Sequence, residues 1–267
     1  MTHQEIYQLA KEWTYEAGEI LRKAVTEQLT VEYKTSAADL VTEKDKEIER
    51  FFANKINQVF PTHFLLGEEG VQKDQAYQPE EETVWIVDPI DGTTNFVHTK
   101  ANFSISVAVY VKGEPVIGII YDVIKDEMFH VLVGAGLYIN DRPAETALAE
   151  REIEEALICI NHLWLAPNPY INEIKMQKMV GDIRGFRCIG SAALELAYVA
   201  TGRMDGAIFN GLGPWDYAAG YVMLKEQGLV CTTTAGDVIN PYQHSPILAA
   251  SQALHTKILN DYIELKN

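Results

Sequence analysis

Apolar residues recur every three or four positions at the start of the chain: Ile6, Leu9, Trp13, Ala17, Ile20, Leu21 and Ala24. That spacing lines one face of a helix and predicts an amphipathic α-helix there. Thr2 and Glu5 stand where a capping box would close its first turn. The same period returns with Ile48, Phe51, Phe52, Ile56 and Val59, a second helix that follows Thr42 and ends at Pro61. The pattern then changes. FLLGEE, TVWIVD, FSISVAVYV, PVIGIIYDV and MFHVLV are short runs rich in β-branched and aromatic residues, and they predict strands. Residues 104–133 read as consecutive antiparallel hairpins, with a tight turn at Lys112-Gly113-Glu114-Pro115. Beyond them, strands and helices alternate: LICI, a helix near 171–180, FRCI, a helix over 191–201, GAIF, a helix over 215–227, LVCTTT, ILAA and a last helix. No repeat, linker or low-complexity tract interrupts the chain, so 1–267 is expected to form a single domain of stacked helix and sheet layers.

Composition narrows the class. With 47% hydrophobic and 22% charged residues, the chain is an ordinary globular one, long enough to bury a large core. Its 22 basic and 38 acidic residues give a net charge of −16, which would repel nucleic acid and anionic membranes and would concentrate cations. No apolar stretch approaches the ~20 residues that span a bilayer. MTHQEIYQLAKEW has neither the basic start nor the apolar run of a signal peptide, so a cytoplasmic protein is expected. Cys159, Cys188 and Cys231 form no CxxC pattern and no disulfide framework; they are expected to be buried free thiols.

The chemistry concentrates in WIVDPIDGTTNFVH, residues 85–98. An apolar strand delivers Asp88 at its end, Pro89 interrupts the ladder, and Asp91-Gly92-Thr93-Thr94 turns the chain. Two carboxylates three residues apart at a strand end can converge on a hard cation such as Mg²⁺, which takes oxygen ligands and leaves room for a substrate phosphate. Gly92 permits close backbone approach, and the amides of Gly92 and Thr93 could donate to phosphate oxygens. Asp-Pro and Asp-Gly are common turn formers, but the full DPIDGTT after an apolar strand is far more specific. Two further acidic positions sit at similar boundaries: Glu68 after FLLG, and Asp216 at the start of the alanine-rich helix of PWDYAAGYVML. Each has an ordinary structural explanation. Asp216 suits a helix first turn, Glu68 a solvated loop, Asp45 the capping position after Thr42, and Lys34 an exposed surface. Converging carboxylates would repel one another unless cations sat between them.

GEE, WIVDPIDGTTNFVH and PWDYAAG, in this order and at this spacing, resemble the inositol monophosphatase family of Mg²⁺-dependent, lithium-sensitive phosphatases. The resemblance extends over nearly the whole chain, through DLVTEKDKEIE and GSAALELAYVATGRMDGAIF. It implies an α/β fold, a layered αβαβα sandwich with mixed, largely antiparallel sheets, in a homodimer. It implies two or three Mg²⁺ ions. Glu68, Asp88 and the carbonyl of Ile90 would hold the first; Asp88, Asp91 and Asp216 the second; Glu68 would lie near a weaker third. Thr93 would orient the attacking water with Asp45 as proton acceptor, and Gly92 and Thr93 would bind phosphate through their amides. Lys34 would lie near the metals, Ser191 and Ala192 would border the sugar pocket, and Asp216 would face the substrate as well. The implied reaction is metal-assisted hydrolysis of inositol 1-phosphate or a related sugar or nucleotide phosphate, without a covalent phosphoenzyme.

One departure bears on the substrate. Several family members carry a glutamate seven residues before the PWD aspartate, able to hold a sugar hydroxyl; this chain has Phe209. The expectation is an apolar ring at the pocket rim and a site shared with a larger phosphate, NADP first. Fructose 1,6-bisphosphate and a 3′-phosphoadenylate are the other substrates in view. Asn161 to Trp164 is bulky for a pocket edge and is expected to be a packed or solvated loop. A non-catalytic metal-responsive binding protein is the alternative of another class, and Asp45 with Thr93 argues against it, because a scaffold has no need of a water-activating pair.

Overall fold

The computed structural model describes residues 1–27, 31–33, 40–72, 77–145 and 150–266. The first apolar stripe forms α1 (His3–Ala24), opened by the Thr2/Glu5 capping box. β1 (Val31–Tyr33) and β2 (Leu40–Thr42) pair antiparallel and lead into α2 (Glu43–Val59). β3 (Phe64–Gly67), β4 (Thr83–Asp91) and the short α3 (Thr93–His98) follow. With β5 (Ser104–Val111), β6 (Glu114–Asp122), β7 (Glu127–Leu132), β8 (Leu137–Ile139) and β9 (Arg142–Pro143) they complete a seven-stranded sheet, ordered β3-β4-β5-β6-β7-β8-β9. Here β3 and β4 run parallel and the other neighbours antiparallel. The hairpins expected over 104–133 are β5 to β7.

The second half supplies β10 (Leu157–Ile160), α4 (Glu173–Asp182), β11 (Gly185–Arg187), α5 (Ala192–Ala200) and β12 (Gly206–Leu212). It ends with α6 (Pro214–Glu226), β13 (Val230–Thr232), β14 (Ser245–Ala250) and α7 (Gln252–Asp261). These strands form a five-stranded mixed sheet, ordered β11-β10-β12-β14-β13.

Three apolar layers make the expected αβαβα stack. Trp13, Leu21, Phe52 and Ile56 of α1 and α2 pack on the outer face of the larger sheet, where Trp13 stacks on Trp85 at 5.6 Å. α5 and α6 fill the space between the sheets. They are apolar almost all round, as a helix covered on every side must be. Met176, Met179, Leu254 and Ile258 of α4 and α7 cover the far face of the smaller sheet. β4, with helices against both of its faces, is buried from Val84 through Asp91. Continuous burial explains why its apolar run does not alternate.

In the short 3₁₀ turn over residues 162–164, Trp164 is packed at 1% exposure while His162 and Leu163 are exposed, and Asn161 before them lines the cavity beside Asp91. The cysteines correct an expectation. Cys159 is buried, but Cys231 is half-buried and Cys188 exposed, because β11 is an edge strand that ends at Arg187. Among the described residues, no helix is long and apolar enough to cross a membrane.

Candidate metal and phosphate site

In an unbroken strand, Asp88 and Asp91 would point to opposite faces, since side chains alternate with a period of two. β4 avoids this. Asp88 pairs with Ser106 and Asp91 with Ser104, so three steps on β4 face two on β5. Pro89 has no N–H for the ladder, and the extra residue is a bulge that turns both carboxylates to one side. Asp216, in the first turn of α6, approaches them from the far half of the chain. Ligand oxygens of Asp88, Asp91 and Asp216 all lie within 4.8 Å of one another.

Such crowding is electrostatically expensive. Burial first, and then the neighbouring carboxylates, push Asp88 well above the usual aspartate range. Asp216 is raised in the same way. Burial also raises Asp91, against the opposing hydrogen bonds from Ser191 and Ala193. Glu68 stands just past β3, where its N–H donates to Val87 O at 3.3 Å. It lies outside the 4.8 Å group, yet its charge contributes to the raised values of all three aspartates. An all-oxygen donor set with surplus negative charge suits a hard divalent cation.

The ordinary structural explanations of Asp45 and Asp216 turn out to be true, and do not compete with site roles. Asp45 Oδ2 accepts from Thr42 N and Thr42 Oγ1, both at 2.7 Å, as a capping residue should. Its Oδ1 remains for Thr93, whose Oγ1 lies 3.2 Å away and 3.0 Å from Ile90 O. Asp216 Oδ2 accepts from Gly213 N at 2.7 Å. Asp91 receives Ser191 Oγ and Ala193 N (2.8 Å) on Oδ2, with Ala192 N at 3.3 Å from Oδ1. These donors are the start of α5, where the helix dipole favours an anion. Burial raises Asp45 to about 6, against two opposing bonds from Thr42.

Gly92 connects β4 to α3 with φ 92°. A Cβ there would stand 2.9 Å from Gly190 O, so a side chain is excluded by contact as well as by backbone conformation. Ser191 and Ala192 line a cavity of about 220 Å³ together with Asp91, Glu195, Phe209 and Asp216. They therefore border the pocket and anchor Asp91 at once. Phe209 lines the same cavity, as the expectation of an apolar ring there has it, but from β12 and at 3% exposure it forms part of the wall and not an open rim. Lys34 lies outside the described residues. A larger cavity of about 660 Å³, between α1 and the β6–β8 edge, holds none of these groups. Chemistry rather than volume marks the site.

Three contributors were missed in the sequence. Glu49, fully buried on α2, accepts from Glu69 N and Val71 N, both at 2.6 Å, and so holds the loop that carries Glu68. Gly67 makes room for it, since a Cβ there would collide with the Glu49 carboxyl group. A glutamate one turn after Asp45, on the face shared with Phe52 and Ile56, was the available signal. Asn95 donates to Asn102 O and Ile189 O, each at 2.8 Å, and ties α3 to the loop before α5. Glu195 is the third, a carboxylate buried at the cavity wall within an otherwise apolar helix.

The model of the inositol monophosphatase family matches residues 2–266, and the chain belongs to that family. It is 44% identical to the inositol-1-monophosphatase of Bacillus subtilis (strain 168) over 98% of each chain. A structure described as inositol monophosphate bound SaIMPase-II is 34% identical with a TM-score of 0.86, covering 97% of this chain and 93% of the other. An IMPase/NADP phosphatase complexed with Mg²⁺ and phosphate is 27% identical with a TM-score of 0.89, covering 100% and 99%.

Proposed function

We propose that this chain is a Mg²⁺-dependent phosphomonoesterase that hydrolyses inositol 1-phosphate and related sugar or nucleotide phosphates. The observation that carries this reading is the convergence of Asp88, Asp91 and Asp216 within 4.8 Å, beside a Thr93–Asp45 hydrogen bond. Asp88, Asp91 and Asp216, with Glu68 and the Ile90 carbonyl, would hold two or three ions. Bound Mg²⁺ acidifies water and offsets phosphoryl charge. Thr93, donating its proton to Asp45, keeps its lone pairs for a water poised to attack, and Asp45 accepts the proton released. The amides of Gly92 and Thr93 orient the phosphoryl oxygens for in-line displacement. Ser191 and Ala192 keep Asp91 in register, and Asp216 faces metal and substrate alike. Lys34 belongs to this reading through the family resemblance.

The fit to the family supports further parts of the reading: one domain over 1–267, a cytoplasmic homodimer, inhibition by lithium, and no nucleic-acid or membrane partner. The likeness to an IMPase/NADP phosphatase supports NADP as a second substrate, with fructose 1,6-bisphosphate differing likewise only in its leaving group. A panel of inositol 1-phosphate, NADP, fructose 1,6-bisphosphate and 3′-phosphoadenylate, run with Mg²⁺ and with chelator, tests it. Mg²⁺-dependent hydrolysis led by inositol 1-phosphate is expected. No phosphomonoester cleaved above the chelated control would sink the proposal.

A further inference from the structure

The cavity beside Asp91 and Asp216 has a wall that the hydrolytic step does not use. Glu195 stands there, 3% exposed, in the first turn of α5. Burying a carboxylate is costly unless donors compensate it. Ile189 N and Gly190 N (3.2 Å) offset part of that cost, both donating to the same oxygen, Oε1, while burial still raises Glu195 to about 7. Among the described residues no hydrogen-bond donor reaches Oε2, and Glu195 lines the cavity. Phe209 and Leu212 give the same cavity apolar surface.

We infer that Glu195 determines specificity in this site, its Oε2 accepting a hydroxyl from the leaving group of a singly phosphorylated polyol whose ring lies against Phe209. The inference rests on the phosphomonoesterase reading above. Two observations select that ligand. Glu195 lies outside the carboxylate group that would hold cations, so nothing offsets its charge against phosphate and the group facing it is the leaving group, not the phosphoryl end. The same repulsion ranks leaving groups that carry further phosphates, those of NADP and fructose 1,6-bisphosphate, behind that of inositol 1-phosphate. At about 220 Å³ the cavity is smaller than the roughly 300–1,000 Å³ that drug-sized ligands occupy, and suits one ring.

Glu195→Gln tests this. The amide keeps Oε1 for both backbone donors and puts an NH₂ group where Oε2 was. The measurement is the ratio of kcat/KM on inositol 1-phosphate to that on cyclohexyl phosphate, a ring of the same size without hydroxyls. Losing a charge-assisted hydrogen bond should lower the ratio by about tenfold or more. The loss should fall on KM for inositol 1-phosphate, while cyclohexyl phosphate kinetics and the Mg²⁺ requirement stay put. An unchanged ratio overturns the inference, and so does an equal loss on both substrates, which would mark a purely structural carboxylate. The ratio does not depend on the folded fraction. Should Glu195→Gln give no active protein, Glu195→Asp withdraws the charge by one methylene. The same ratio then decides: a fall supports the inference, and no change overturns it. A native protein that cleaves neither ester would take the phosphomonoesterase reading down, and this inference with it.

Discussion

The proposed reactive groups lie mostly in residues 45–93, and the cavity wall against which a leaving group would lie comes from residues 161–216. The first region is dense and local. Asp88, Asp91 and Thr93 follow one another on a bulged strand end, with Asp45 one hydrogen bond away. The second is assembled from separate elements: Ser191 and Glu195 from α5, Phe209 from β12, and Asp216 from α6. The regions meet where Ser191 and Ala193 hold Asp91, and where Asp216 completes the carboxylate group. Tolerance to change differs accordingly. A metal centre needs its ligands fixed relative to one another, which a short bulged segment achieves within a few residues. A wall built from separate elements can change one side chain without touching that centre.

Breaking the junction should have the largest effect. Asp91→Asn removes one of three converging charges, and turnover should fall to the uncatalysed background at any Mg²⁺ concentration while the far-UV circular dichroism stays native. An active Asp91→Asn protein would mean that the centre does not depend on this carboxylate. Thr93→Ala cuts inside the first region alone. The carboxylates persist, so Mg²⁺ binding measured by calorimetry should survive, while kcat drops by about 10²–10⁴, the usual range for general acid–base assistance. A raised Mg²⁺ requirement with unchanged kcat would assign water positioning elsewhere.

Glu49→Gln probes how the first region is supported. Its Oε1 can still take one of the two loop amides, but its NH₂ opposes the other. Mg²⁺ affinity by calorimetry should fall about 10–100-fold, as for other groups that orient metal ligands. Much of kcat should return at saturating Mg²⁺. Unchanged affinity in a folded variant would leave the Glu68 loop independent of Glu49.

The smallest effect is on stability. Asp45 is raised in the folded protein from 3.8 to about 6, so the folded state binds its proton more tightly than the unfolded state. That contribution is complete below pH 3.8 and is lost as pH rises through about 6. Asp88, Asp91 and Asp216, raised in the same direction, add to it. The Tm of metal-free protein should therefore decline across this window, and excess Mg²⁺ should flatten the decline. A metal-free Tm that climbs from pH 4 to 7 with no response to Mg²⁺ would contradict the raised values.

Element order and the reactive motif are legible in the sequence without any coordinates. Periodicity located α1 and α2, the hairpins over 104–133 and the alternating second half, because amphipathic spacing is a local property of the chain. DPIDGTT was legible for the same reason: ligand, turn and strand end are contiguous. The rest comes from tertiary packing. Only the bulge against Ser104 and Ser106 shows how Asp88 and Asp91 come to share a face. Only the packing of α6 between the sheets brings Asp216 to them from more than a hundred residues away. Phe209, which the family resemblance marked as a missing carboxylate, is a buried ring in the cavity wall, and Glu195, a charge in an apolar helix, is the carboxylate beside it. Which atoms face a ligand depends on how layers distant in sequence stack and which buried charges find donors there, and neither is written in any one segment of the chain.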